Sequence, residues 1–109
     1  IDGAAAGGIS LDFRTDIYSR APLVGYWLGV DFWGKGLMTE AVKLITQYAF
    51  EQLDIISIHA YVLSGNMGSM RVLEKAGYEK RGILPHSAVK YGNVMDEHIF
   101  TIPNYRAFA

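Results

Sequence analysis

The stretch Leu23 to Ala41, LVGYWLGVDFWGKGLMTEA, decides how the rest of the chain is read. Val24 to Val30 is an apolar run with aromatics and predicts a buried strand, after which Gly34-Lys35-Gly36 opens a helical pattern. A strand, a glycine turn and a helix N-terminus follow one another. Two glycines one residue apart let the backbone come close to a ligand and expose successive N–H groups, while the first helical turn adds orphan donors and about half a positive charge. Such a turn suits an anion, most simply a phosphate or pyrophosphate. A dinucleotide fold requires G-x-G-x-x-G and an acidic residue ending the next strand, but Thr39 holds the third glycine position and the next strand ends Val62-Leu63-Ser64. A mononucleotide P-loop needs four residues between its glycines and then Lys-Ser/Thr, which Gly34-Lys35-Gly36-Leu37 does not offer. On this stretch alone, a purely structural strand-to-helix turn stays open.

With 109 residues, 50% of them hydrophobic, the chain can bury one core, so a single domain over 1–109 is expected. A net charge of -1 gives no general attraction to nucleic acid or to a membrane, so an anion site must be local and the partner small. Cysteine is absent, which excludes a disulfide framework, a thiolate nucleophile and a cysteine zinc site. His59, His86 and His98 are scattered without a second ligand at helical spacing, so no metal is expected. No apolar run is long enough for a bilayer and no signal peptide is visible, and the reading is a soluble, cytoplasmic protein.

Asp2-Gly3 is a hairpin turn signal with only Ile1 before it, and Ala5 to Phe13 supplies the strand after it. The chain thus reads as starting in mid-hairpin, the C-terminal part of a longer domain, with a native short protein as the alternative. Arg14 to Pro22 is a polar connection short enough to join antiparallel neighbours. From Leu37 to Leu53 the apolar positions Met38, Ala41, Val42, Ile45, Tyr48 and Ala49 fall at helical spacing and predict a core-facing stripe, with Glu40, Lys43, Gln47 and Glu51 opposite. Ile55 to Leu63 is rich in β-branched residues; a long helix separates it from Val24–Val30, so the two strands should be parallel through a right-handed crossover. Asn66 is a good N-cap for a short helix over Met67 to Ala76, closed by Gly77. Tyr78 to Ile83 begins a further strand, Pro85 interrupts it, and Gly92-Asn93 predicts a hairpin turn between Ser87–Tyr91 and Val94–Ile102. The order gives an α/β fold whose sheet is of mixed direction, with helices on its faces.

The blocks GYWLG-x-x-FWGKGLMTEAV and SGNMGSMRVLEKAGY, in this order and spacing, resemble the GNAT family of N-acetyltransferases, and in particular its ribosomal-protein N-terminal acetyltransferases. The resemblance covers essentially the whole chain. It implies a mixed sheet splayed between Val24–Val30 and Ile55–Leu63, with helices on both faces and acetyl-coenzyme A wedged in the gap. It also implies that the first strand and two helices of the fold, whose loop lines the acceptor side, precede this chain. Splaying would free backbone groups around Leu28, Gly29 and Val30, which the amides of a pantetheine arm can partner as an added strand does. The family's Q/R-x-x-G-x-G/A motif falls on Asp31-Phe32-Trp33-Gly34-Lys35-Gly36, so the pyrophosphate would lie on N–H groups of Trp33, Gly34, Lys35, Gly36, Leu37 and Met38. Asp31 departs from the usual Gln or Arg, and Lys35 offers a substitute cation.

Asn66 and Ser69 match the family positions that reach the pantetheine and the sulfur, and they are equally a helix-capping pair. Arg71 is a further candidate for the adenosine phosphates. Many family members carry a tyrosine that protonates the departing thiolate, but here that position is Leu73, which leaves Ser69 as the catalytic candidate through a hydrogen bond to sulfur. His59 and Glu97 are candidate relays for the amine proton. The resemblance implies acetyl transfer from acetyl-coenzyme A to a primary amine, with a protein N-terminus or a small amine as partner. A chain that holds coenzyme A without turnover is the first rival, and an unrelated nucleotide binder the second. The strand Ala5–Phe13, without its hairpin partner, presents an edge open to self-association or to an upstream segment.

Overall fold

The computed structural model describes residues 7–28 and 36–105. Within them run β1 (Gly7–Asp12), a single 3-10 turn at Asp16–Tyr18, β2 (Leu23–Leu28), α1 (Leu37–Gln52), β3 (Ser57–Leu63), α2 (Met67–Lys75), β4 (Glu79–Lys90) and β5 (Asn93–Pro103). One five-stranded sheet has the order β1-β2-β3-β5-β4. β1 and β2 pair antiparallel from Gly7↔Leu28 to Asp12↔Leu23, β2 and β3 are parallel, and β3 and β4 each run antiparallel to β5. Both the short β1–β2 connection and the α1 crossover thus produce the strand directions expected of them. Asp2-Gly3 lies outside the described residues.

Along β3 the side chains alternate, with Ile58, Ala60 and Val62 buried on one face. That face meets Met38, Val42 and Ala49 of α1 and Met70 and Leu73 of α2, and Val24, Tyr78 and Phe100 complete the cluster. Phe100, Ile58, Leu73 and Val42 are fully buried, each worth about 1.5–3 kcal/mol in hydrophobic transfer. Both helices share this cluster, and among the described residues no helix covers the opposite face, where the family resemblance also places helices.

Three local expectations are corrected. Tyr48, assigned to the core stripe of α1, is 59% exposed, and the buried position on that face is Thr46 instead. The polar Thr46 is admitted because its hydroxyl meets the Tyr78 phenol at 2.8 Å, which satisfies both groups. Pro85 does not end its strand: β4 continues through it because the register shifts between Leu84 and Ala88, where Asp96 Oδ1 accepts from the His86 N–H at 2.8 Å. The hairpin turn centres on Tyr91-Gly92 rather than Gly92-Asn93, since Lys90 pairs with Asn93 and both intervening residues have positive φ (52° and 79°).

The α2 boundaries follow from capping. Asn66 Oδ1 accepts from the Ser69 N–H at 3.2 Å, and at the other end Gly77 takes φ 97° while its N–H bonds Glu74 O and that of Tyr78 bonds Leu73 O.

Candidate active site

Leu23↔His59 is the one register pair between β2 and β3 among the described residues. Below it the strands are held together: the His59 N–H donates to Pro22 O at 3.0 Å and the Ile56 N–H to Arg20 O at 2.7 Å. Arg20 also reaches Asp54 Oδ1 at 2.8 Å, and buried Asn104 donates its side-chain amide to Ile55 O at 3.0 Å. Above the pair the strands part. Because the His59 N–H points to β2, strand alternation turns the backbone groups of Tyr26 and Leu28 toward β3, and those of Tyr61 and Leu63 toward β2. These polar groups line opposite sides of a gap and require partners.

The gap is a cleft of about 620 Å3. Val24, Gly25 and Tyr26 form one side, and Ala60 to Leu63 the other. Asn66, the N-cap of α2, and Ser69 and Leu73 within that helix close one end, while Lys90 and Met95 reach it from the β4–β5 hairpin. Tyr26 and Ser69 meet there: the phenol oxygen lies 2.9 Å from Ser69 O and 2.7 Å from Ser69 Oγ. Burial pushes the Tyr26 phenol above its ordinary value of 10, and the bond to Ser69 offsets part of that shift.

At the start of α1, Gly36 is the N-cap with φ 71° and no side-chain cap. Its carbonyl receives the first intrahelical bond, from the Glu40 N–H at 3.1 Å, so the N–H groups of Leu37, Met38 and Thr39 are orphan donors. Among the described residues, a Cβ built on Gly36 would meet nothing within 4 Å. Strand edges without a strand partner among the described residues can take amides, and a helix start whose first N–H groups lack intrahelical acceptors can take an anion.

Of the residues singled out in the sequence, Asn66 and Ser69 line the cleft, and their capping bond is present as well. Leu28 ends β2 and offers backbone groups; Leu37 and Met38 open α1, Met38 with its side chain in the core. Gly29, Val30, Trp33, Gly34 and Lys35 lie outside the described residues. Arg71 is exposed on α2 and does not line the cleft. Leu73 is fully buried beside Ser69, so the family's tyrosine position carries packing and no hydroxyl.

Neither suggested proton relay lines the cleft. Glu97 lies on β5 and pairs with Leu63 of β3. His59 is bound by structure: Arg14 Nη2 sits 3.0 Å from its Nδ1, and Ser57 Oγ 3.0 Å from its Nε2. Arginine only donates, so Nδ1 accepts and the ring proton is on Nε2, given to Ser57. Burial, and secondarily the Arg14 charge, hold its pKa below the ordinary 6.5. The residues missed by sequence reading are Tyr26, Lys90 and Met95. Tyr26 stood inside an apolar run and its partner is 43 positions away, so no local signal marked it.

A model of the acetyltransferase (GNAT) domain matches residues 2–79. A probable N-acetyltransferase of Bacillus subtilis, YjcK, is 49% identical over 79 residues, which cover 72% of this chain and 43% of that protein. The solved ribosomal-protein-S5-alanine acetyltransferase of Vibrio fischeri superposes with a TM-score of 0.84 at 27% identity, over 91% of this chain and 54% of that one. RimJ of Mycobacterium smegmatis, solved with a coenzyme A disulfide, shares the fold with a TM-score of 0.86 at 24% identity, over 97% of this chain and 51% of that one. The chain therefore spans about half the length of the relatives it matches.

Proposed function

The chain belongs to the GNAT family of acetyltransferases, and on that premise we propose that it transfers an acetyl group from acetyl-coenzyme A to a primary amine, with a protein N-terminal α-amine as the acceptor class. The observation that carries this reading is the parting of β2 and β3 beyond Leu23↔His59, which opens a cleft edged by strand groups that have no strand partner among the described residues. The amide-bearing arm of the co-substrate would complete the sheet there, and the donors after Gly36 would hold its pyrophosphate.

Acetyl-coenzyme A supplies the acyl carbon and a thiolate leaving group whose pKa, about 8.5, lets it depart without full protonation. Ser69, which lines the cleft, would give that sulfur a hydrogen bond. None of the described residues that line the cleft is a carboxylate or a histidine. An α-amine with a pKa of about 8 is partly neutral near pH 7, whereas a lysine near 10.4 is almost wholly protonated, so a cleft whose described lining holds neither carboxylate nor histidine favours the former. The similarity to a ribosomal-protein-S5-alanine acetyltransferase supports the same acceptor class.

The test is release of coenzyme A thiol by the full protein from acetyl-coenzyme A in the presence of amines. Faster release with unblocked N-terminal peptides than with lysine side chains or polyamines is the expected result. Acetyl-coenzyme A binding with no amine-dependent thiol release would leave a binding protein without turnover and overturn the assignment.

A further inference from the structure

We propose that Tyr26 is a positioning residue for the transfer, acting through Ser69: its phenol decides whether the Ser69 hydroxyl proton points at Tyr26 or into the cleft. This rests on the reading of Ser69 as the residue beside the departing sulfur.

Tyr26 Oη is within hydrogen-bond distance of two Ser69 atoms, the backbone oxygen at 2.9 Å and Oγ at 2.7 Å. A carbonyl only accepts, and a phenol has one proton. With that proton on Ser69 O, the short contact to Oγ must be made by the Ser69 proton, which is then turned away from the cleft. With the phenol proton moved to Ser69 Oγ, the serine becomes an acceptor from tyrosine and its own proton is free to reach sulfur. The second arrangement also polarises the serine hydroxyl, since a donor that is itself accepting a bond donates more strongly. Tyr26 is partly buried and its phenol is pushed above 10, so it stays a neutral donor through the physiological range.

The contact also joins two elements that line the cleft: Tyr26 belongs to β2 and Ser69 to the third position of α2, so the pair fixes the serine relative to the strand on which the pantetheine arm would lie. In the transfer itself the amine nitrogen forms the new bond to the acyl carbon and the carbon–sulfur bond breaks. The electron pair stays on sulfur, which accepts the hydrogen bond from Ser69, and the amine proton leaves to solvent. Tyr26 gains and loses no proton over the cycle.

Three variants of the full protein test this with an N-terminal peptide as acceptor: Ser69→Ala, Tyr26→Phe and the double variant. Ser69→Ala should lower kcat about ten- to a hundredfold, and Tyr26→Phe about fivefold, the worth of one neutral hydrogen bond, with acetyl-coenzyme A affinity held within about twofold. The double variant should match Ser69→Ala alone, because Tyr26 has no route except through that hydroxyl. Multiplying effects in the double variant, or wild-type kcat in Tyr26→Phe beside a slowed Ser69→Ala, would overturn the inference while leaving the Ser69 reading intact. Wild-type kcat in Ser69→Ala would overturn both. Should Tyr26→Phe fail to fold, 3-fluorotyrosine at position 26 keeps the shape and acidifies the phenol. The alkaline limb of kcat should then move to lower pH, and an unmoved limb would contradict the proposal.

Discussion

Leu23 on β2 and His59 on β3 form the register pair at which the two parallel strands stop being a sheet and start being the walls of a cleft. The position is fastened from outside: Arg14 donates to the Ala21 carbonyl and to His59 Nδ1, and its guanidinium stacks 4.6 Å above the Tyr18 ring. The β1–β2 connection is thereby bolted to the hinge.

A pH dependence follows, with a definite sign. The folded state holds the His59 pKa below the ordinary 6.5, so on acidification the unfolded chain binds this proton first and stability rises with pH through that window. The contribution is fully present above about 6.5 and is lost as pH falls through the folded-state pKa. Urea denaturation between pH 5 and pH 8, both set by the experimenter, should show stability declining on the acid side. His59→Gln, which keeps an acceptor for Arg14, should flatten that decline; an unchanged slope would show that other groups carry it.

Thr46 and Tyr78 join α1 to the start of β4 through a buried bond of 2.8 Å, and burial drives the phenol up to about 12. Thr46→Val preserves shape but strands the phenol, at a cost of about 1–3 kcal/mol. Adding Tyr78→Phe removes the stranded group and should restore most of the loss, as a double-mutant cycle in thermal denaturation would show. Additive losses would mean the two side chains contribute by packing alone.

Much of this fold was legible because its cues are local. Capping residues bounded α2, apolar spacing placed α1, and β-branched residues marked β3. Tyr48 failed for a reason that spacing cannot express: an aromatic at a helical stripe position lost the interior to Thr46, whose partner Tyr78 is 32 positions away. Pro85 failed similarly, because Asp96 on the neighbouring strand supplies the acceptor that lets β4 pass through the bulge. In the cleft lining, Asn66 and Ser69 were readable from motif and cap, whereas Tyr26 meets Ser69 only once β2 is folded against α2.

Gly36 has a left-handed conformation (φ 71°), and among the described residues nothing lies within 4 Å of a Cβ built on it. Gly36→Val should cost about 1–2 kcal/mol in folding from the strained φ. It should also weaken acetyl-coenzyme A binding by about tenfold or more, since a hydrogen bond to a charged group is worth roughly 1.5–3 kcal/mol. Gly36→Asn, which tolerates this φ, separates the two effects: stability should largely return while affinity stays reduced. Unchanged affinity in folded Gly36→Val, read by calorimetry, would remove the phosphate role from this turn.

Asn66 serves α2 as a cap and lines the cleft. Asn66→Asp keeps the acceptor that caps Ser69 N–H, so stability should change little, whereas Asn66→Ala should cost about 0.5–2 kcal/mol. Both lose the amide donor, and both should bind acetyl-coenzyme A more weakly. Full affinity in Asn66→Asp would leave the residue a cap and nothing more.

The most direct test of the central claim, that acetyl-coenzyme A completes the sheet between β2 and β3, is residue-resolved amide hydrogen exchange with and without it. The alternation set by Leu23↔His59 predicts slower exchange at Tyr26 and Leu28, which face the gap, and no change at Gly25, which faces β1. Unaltered exchange at Tyr26 and Leu28 while acetyl-coenzyme A is demonstrably bound would contradict the account.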